Sequence, residues 1–161
     1  MKYRSSVTLP VVIALLLIAV IALATPSVGV TVSRWAGVME AGHFKHHEET
    51  TTGLKLELKT NMDTDFTISS VSVNPGGNVG WHSHTGPVFI NIRRGTLTLL
   101  EFKDGVCERR DVAAGATILE QGTGVHNAYN LTGTTVEYAT AAWAPRGVPQ
   151  RVDMPDPGCA P

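Results

Sequence analysis

The sequence has no excess of basic residues, only two cysteines and no sustained helical pattern. Its 161 residues carry 13 Lys and Arg against 14 Asp and Glu, so the chain lacks the basic surface that nucleic-acid binding requires. Between Leu54 and Trp143 no apolar spacing of helical period lasts about ten residues, which argues against an α/β architecture. Cys-x-x-Cys spacing is also absent, and its absence disfavours a redox-active cysteine pair.

The N-terminal residues are typical of a segment that directs export. A short basic region precedes an apolar run from Leu9 to Leu23, which ends in the small residues Ala22-Leu23-Ala24. This layout predicts a signal peptide over residues 1–24. The alternative, an uncleaved membrane anchor, is disfavoured because the run is shorter than the roughly 20 residues that span a bilayer. We expect the rest of the chain to be exported, periplasmic or secreted, with membrane contact only if the segment is uncleaved.

That compartment determines how the two cysteines are interpreted. Thiols of exported proteins meet oxidising conditions and usually form disulfides. We therefore predict a bond between Cys107 and Cys159 and disfavour two unpaired thiols. The bond would close a loop of about 50 residues and hold the C-terminal tail against the fold, contributing about 2–4 kcal/mol.

From Leu54 onward the sequence has the texture of β-strands in a single domain. Residues 54–60 alternate Leu with Lys or Glu, which is the period of a half-buried strand. Short strand-like segments with Gly-rich turns follow, and they predict an all-β sandwich or barrel over residues 54–144. A jelly roll suits a small chain because it closes most sheet edges. Residues 25–53 are predicted to form an N-terminal arm, and residues 145–161 a Pro-rich tail.

Three histidines are the candidate metal ligands. His82 and His84 lie two apart in a strand-like segment, and side chains two apart on a strand point to the same face. His126 lies in another such segment, opened by glycines. Three imidazoles on neighbouring strands can hold a divalent ion and leave positions open for water, substrate or oxygen. The remaining histidines are interpreted as part of a polar surface segment: His43, His46 and His47.

These residues resemble the two motifs of the cupin family. The first motif is a Gly, five residues, His-x-His, three or four residues, a Glu, six residues and a Gly. In this chain Gly76, the histidine pair, Val88 and Gly95 fall at those spacings. The second motif ends in a His, three residues and an Asn, matched here by His126 and Asn130. The resemblance implies a double-stranded β-helix, the jelly-roll cupin barrel, with the metal inside and Asn130 supporting the barrel.

The chain departs from the first motif at one position. Val88 replaces the glutamate and shares an apolar strand face with Ile90 and Ile92. Within the motif framework Glu120 is the nearest candidate carboxylate, but it precedes a Gly-rich turn and is expected to face solvent. Glu101 and Glu137 lie on strands whose facing the sequence leaves open. We therefore predict a three-histidine site, whose neutral ligands leave a divalent ion with its full +2 charge.

The resemblance spans roughly residues 65–143 and is closest to small, single-domain, exported bacterial cupins. It implies a class of site rather than one reaction, because cupins include dioxygenases, isomerases, decarboxylases and storage proteins. We expect a metal-binding protein that holds Fe, Mn, Ni or Zn and takes a small molecule. Iron is favoured if the protein is a dioxygenase-type enzyme; the alternative is a non-catalytic barrel that binds a metal or small ligand. The family also implies a homodimer formed through sheet edges.

Overall fold

The structure is a computed structural model that describes residues 24–47 and 55–161. The predicted signal peptide therefore lies outside the described residues except for Ala24. Within the described ranges the chain forms strands and no helix, and hence no helix able to cross a membrane. The strands are β1 (Val28–Met39), β2 (Gly42–His47), β3 (Lys55–Thr60), β4 (Thr64–Asn78), β5 (His82–His84), β6 (Val88–Arg94), β7 (Thr96–Lys103), β8 (Val106–Ala113), β9 (Thr117–Glu120), β10 (Val125–Tyr129), β11 (Val136–Pro145) and β12 (Arg151–Asp153).

Ten of these strands form one curled antiparallel sheet, and β2 and β3 form a separate hairpin. The main strand order is β12-β5-β10-β4-β11-β6-β9, with β1 added to β4 and the β7-β8 pair joined to β10. The sheet curls around one core, so the structure confirms the predicted all-β barrel class. The curl brings β5, β10 and β9, which carry the candidate site, to the same inner surface.

Alternation along the strands explains the core. In β6 the side chains of Val88, Ile90 and Ile92 are buried, whereas Phe89 and Asn91 between them are exposed. Equivalent inward positions on the other strands complete one apolar cluster, which includes Val71, Val73, Leu97, Leu99, Val136 and Tyr138. The apolar face predicted for β6 is therefore the inner face of the barrel.

The segment predicted as an N-terminal arm contains a long strand of the sheet. Over almost its whole length β1 pairs antiparallel with β4, from Val30 opposite Val73 to Met39 opposite Thr64. Valine does alternate with small residues at the start of β1, but Arg34 and Trp35 interrupt the pattern. The strand is held by pairing with β4 more than by burial, because most of its side chains are exposed.

The C-terminal tail also contributes to the fold. It includes β12, which pairs with β5 and places Arg151 opposite His84. The predicted disulfide joins Cys107 on β8 to Cys159 in the tail, with the two Cα atoms 5.7 Å apart. The tail is therefore attached to the sheet at two places, beside the histidine pair and at the β7-β8 hairpin.

Candidate metal centre

The three predicted histidines lie together on the inner face of the sheet. β5 is only three residues long, yet it buries both of its histidines, and β10 pairs with it so that His126 lies directly opposite His82. The closest ligand atoms of His82, His84 and His126 all lie within 4.8 Å of one another. Among the described residues this is the one cluster of at least three potential metal ligands.

Backbone carbonyl groups orient all three imidazole rings. Each Nδ1 lies within hydrogen-bond distance of a carbonyl oxygen, at 2.8 Å for His82 to Gly80, 2.9 Å for His126 to Gly124 and 3.3 Å for His84 to Gln150. Because a carbonyl oxygen can only accept, Nδ1 carries a proton, which leaves Nε2 as the ring atom that a metal ion can bind. Histidines that bind metals are almost always held in this way.

A shared local motif produces two of these contacts. Both strands read Gly-x-His, and in each case the ring turns back to the carbonyl of the glycine two residues earlier. Gly80 is required for a second reason: its φ is +77°, and a Cβ there would lie 2.3 Å from the carbonyl oxygen of Thr25. The Gly-x-His repeat is a signal that sequence reasoning missed.

Glu120 lies in the site, so the prediction that it faces solvent is wrong. Its Oε2 atom is 3.1 Å from Nε2 of His84 and 3.1 Å from Nε2 of His126, and its side chain is 11% exposed. The cause is strand pairing, since β9 runs beside β6 with Glu120 directly opposite Val88. Directly paired residues share a face of the sheet, and Val88 faces inward. The Gly-rich turn begins only after Glu120.

The charges in the site are strongly coupled. Burial opposes ionisation of Glu120, but the adjacent rings of His126 and His84 outweigh it and hold the pKa of this carboxyl well below its usual range. Burial also lowers the pKa of His126, but Glu120 outweighs that effect and the net pKa is raised. For His82, burial and the positive charges of His126 and Arg151 lower the pKa to about 2. The anionic carboxylate of Glu120 thus favours a positive charge on Nε2 of His126, which either a proton or a bound metal ion can supply.

The surroundings of one buried atom, Nε2 of His126, also agree with a metal-binding site. Nε2 of His126 has no hydrogen-bond partner of suitable geometry, although the carboxylate of Glu120 is 3.1 Å away. A buried ring nitrogen without a well-formed hydrogen bond is costly. A metal ion bound to this nitrogen would satisfy it, so the residues present fit the group that the sequence predicts.

The three histidines line an inner cavity of about 420 Å³. Its lining combines polar and charged side chains, among them Arg34, Arg151 and Asp153, with apolar ones: Val79, Val88, Ile90, Leu97, Leu99 and Ala128. Burial raises the pKa of Tyr138, which keeps its hydroxyl neutral. Thr25 and Ser27 before β1 also line the cavity, so the N-terminal segment takes part in the site. The volume suits a small molecule.

The other predicted residues lie outside the cavity lining. Asn130 is fully buried and forms hydrogen bonds within the fold, which agrees with a supporting role. His43 lies on the β2-β3 hairpin, where its Nε2 is 2.6 Å from Glu57 Oε1. His46 and His47 lie on the same hairpin strand. The exposed ring of His43 agrees with the interpretation of a surface segment.

Comparisons with known proteins give fold neighbours only. No protein-family model matches the chain, and no curated protein matches it. An oxalate decarboxylase from Lactobacillus farciminis, in a formate complex, is similar at 13% identity and a TM-score of 0.48, over 55% of this chain and 26% of that one. An oxalate oxidase in complex with the substrate analogue glycolate aligns at 20% identity and 0.47, over 55% and 45%.

A third neighbour is a Cupin 2 conserved barrel domain protein from Salinispora arenicola CNS-205. It aligns at 25% identity and a TM-score of 0.44, over 50% of this chain and 64% of that one. This chain thus spans less than two thirds of the length of each of the three structures. All three are cupin-fold proteins, the family that the histidine motifs resemble.

Proposed function

We propose that this chain is an exported metal-binding protein in which His82, His84 and His126 hold one divalent ion beneath a small-molecule cavity. The orientation of the rings carries the proposal: three backbone carbonyls accept hydrogen bonds from Nδ1, so Nε2 is the atom that each ring can offer to a cation. Nothing in a purely structural barrel needs three buried imidazoles fixed in this manner.

Two classes of activity are compatible with such a centre. The first is oxygenation of a small molecule, for which iron is the metal we propose because three protein nitrogens leave positions for substrate and O₂. The chain would contribute the apolar part of the cavity lining and the anionic carboxylate of Glu120. The second is binding of a metal or small ligand without catalysis, which the apolar residues of the cavity lining favour. Manganese, nickel and zinc are the other candidate metals.

Metal loading tests the proposal directly. We expect the purified exported protein, incubated separately with iron, manganese, nickel and zinc, to retain one ion per chain after desalting, as measured by elemental analysis. Protein that stays metal-free in all four would contradict the proposal. Oxygen uptake by the iron-loaded protein with a panel of thiols and diketones then separates the two classes, and an unchanged uptake across the panel would favour the binding protein.

The location outside the cytoplasm is part of the proposal. Its support is the disulfide between Cys107 and Cys159, because such bonds persist in the periplasm and in secreted proteins but are rare in the cytosol. The signal-like residues 1–24 provide the second support.

We further propose a homodimer, on the basis of an apolar row on the outer face of the sheet. Directly paired positions place one residue from each of five neighbouring strands in this row: Trp35, Ile68, Ala141, Phe89 and Leu119. Four of the side chains are 43% to 62% exposed. Phe66 and Trp143 extend the row, with their ring centroids 4.7 Å apart.

The size of the row suits a second copy of the chain. Side chains of these types expose on the order of 500 Å² of apolar surface here, which is over half of the roughly 800 Å² that one partner gives to a stable interface. A row that crosses five strands can also pack against its own copy across a two-fold axis. The occupant we propose is therefore an identical face.

We expect Trp35→Glu to convert the dimer to a monomer, because it places a charge at the most exposed end of the row. Light scattering coupled to size exclusion measures the mass directly. Val106→Glu is the matched control, since it adds the same charge at a side chain of similar exposure on the β7-β8 hairpin. A wild-type protein that is monomeric at tens of micromolar would contradict the proposal.

A further inference from the structure

We propose that Glu120 is a fourth ligand of this metal centre and that β9 supplies the carboxylate that Val88 cannot. The inference rests on the proposed metal site and adds a residue that the sequence motif does not contain. It also changes the charge predicted for the bound ion.

Strand pairing brings the carboxylate to the right place. Val88 and Glu120 are directly paired on β6 and β9, so their Cβ atoms are about 5 Å apart on the same face. A glutamate side chain is long enough to cover that distance. The carboxylate of Glu120 can thus reach the space that a glutamate at residue 88 would have filled.

The distances agree with shared coordination. Two ligand atoms at about 2.1 Å from one ion and at right angles to it are about 3.0 Å apart. Oε2 of Glu120 is 3.1 Å from both His84 Nε2 and His126 Nε2. The oxygen therefore lies at ligand spacing from two of the three nitrogens, on the side of the cavity that the apolar β6 face borders.

Burial also requires a cation beside this carboxylate. Glu120 is 11% exposed, and in the described residues its ion pairs are with His84 and His126 alone. A buried carboxylate is stable when it is paired or coordinates a metal. Both histidines already donate a hydrogen bond from Nδ1 to a backbone carbonyl. A metal ion can therefore balance the charge of Glu120 without a second proton on either ring.

The consequence is a site with less positive charge than the sequence predicts. Three neutral imidazoles would leave a divalent ion at +2, whereas one carboxylate reduces the centre to +1. We expect tighter metal binding than a three-histidine site gives and weaker attraction for anionic ligands. The chain would thereby keep the ligand number of the cupin motif while moving its carboxylate to the neighbouring strand.

The test compares the affinity of the full chain for one metal, Mn²⁺, in four forms. Against wild type, we expect Glu120→Gln, which keeps the shape and removes the charge, to weaken the affinity at least about tenfold and to change the Mn²⁺ electron paramagnetic resonance spectrum. The double variant Val88→Glu/Glu120→Val returns the carboxylate to β6 and should recover most of the affinity. Glu137→Gln removes a charge from the outer face of β11, where Glu137 forms an ion pair with Arg94, and should change the affinity less than threefold.

The outcomes separate this inference from the proposed function. Wild type that binds no Mn²⁺ contradicts the metal site as a whole. Wild type and Glu120→Gln with equal affinity and identical spectra leave the three-histidine site in place and overturn the role of Glu120. A loss of affinity as large in Glu137→Gln would show that long-range charge, not ligation, is responsible. Because melting curves report folding of each variant, the Glu120→Gln comparison is decisive even if the double variant is unstable.

Discussion

His126→Ala is expected to abolish stoichiometric metal binding, with an affinity at least 100-fold below that of wild type. Loss of the hydrogen-bond partner that orients a ligand histidine already costs 10- to 100-fold in metal affinity. This change removes the ligand itself. His126 is also the residue that links the other groups, since it is directly paired with His82 and lies 3.1 Å from Glu120. Metal competition with a chromophoric chelator measures the loss.

His82→Ala should have a similar effect, because it removes a second donor of the same cluster. His43→Ala is the matched control: it removes an imidazole from the β2-β3 hairpin, where the ring contacts Glu57. That variant should bind metal as wild type does. A His126→Ala protein with wild-type affinity, or equal losses in His126→Ala and His43→Ala, would show that the triad is not the binding site.

Local sequence was sufficient to predict the histidine cluster. Side chains two apart on one strand face the same way whatever the strand pairs with, so His82 and His84 could be assigned to one face without knowledge of the fold. The same alternation predicted that Val88, Ile90 and Ile92 face the interior. His126 could be joined to the pair only as a candidate from its similar strand-like segment and then from the motif resemblance, because residues over 40 positions apart carry no local sign of contact.

Glu120 could not be predicted in this way because its role depends on register. Whether residue 120 or 119 lies opposite Val88 is decided by how β9 pairs with β6, and a slip by one residue would turn Glu120 outward and Leu119 inward. The turn residues after Glu120 were a poor guide, since a strand can bury its last residue. β1 was missed for a related reason: its pairing with β4 compensates for a pattern that Arg34 and Trp35 interrupt.

The position of the Glu120 carboxylate determines how charge and apolar surface are divided around the proposed metal ion. A valine at residue 88 makes β6 continuously apolar on its inner face, and the charge enters instead from β9, at the last residue before a turn. The β6 side of the cavity can then be apolar while the proposed ion still has an anionic ligand in Glu120. A substrate would therefore meet a low-charge metal centre beside a hydrophobic surface.

Asn130→Ala is expected to destabilise the fold by about 3–4 kcal/mol, because it leaves buried groups without partners. The side chain is fully buried and uses its whole hydrogen-bonding capacity. Nδ2 donates to the carbonyls of Val73 and Thr134, at 2.8 Å and 2.7 Å, and Oδ1 accepts from the backbone N–H and the hydroxyl of Thr132, at 3.0 Å and 2.7 Å. One amide thus fixes the β10-β11 connection to β4.

Thermal melting of the metal-free protein measures this loss, and a decrease of roughly 10 °C in Tm corresponds to it for a domain of this size. Asn91→Ala is the matched control, because Asn91 is exposed and its side chain donates one hydrogen bond, to Thr117. That change should cost less than about 1 kcal/mol. Asn130→Ala should still bind one metal ion per chain below its melting temperature, since the amide supports the strand that carries His126 and does not reach the ion. A Tm within 2 °C of wild type, or loss of the metal from a protein that remains folded, would contradict this supporting role.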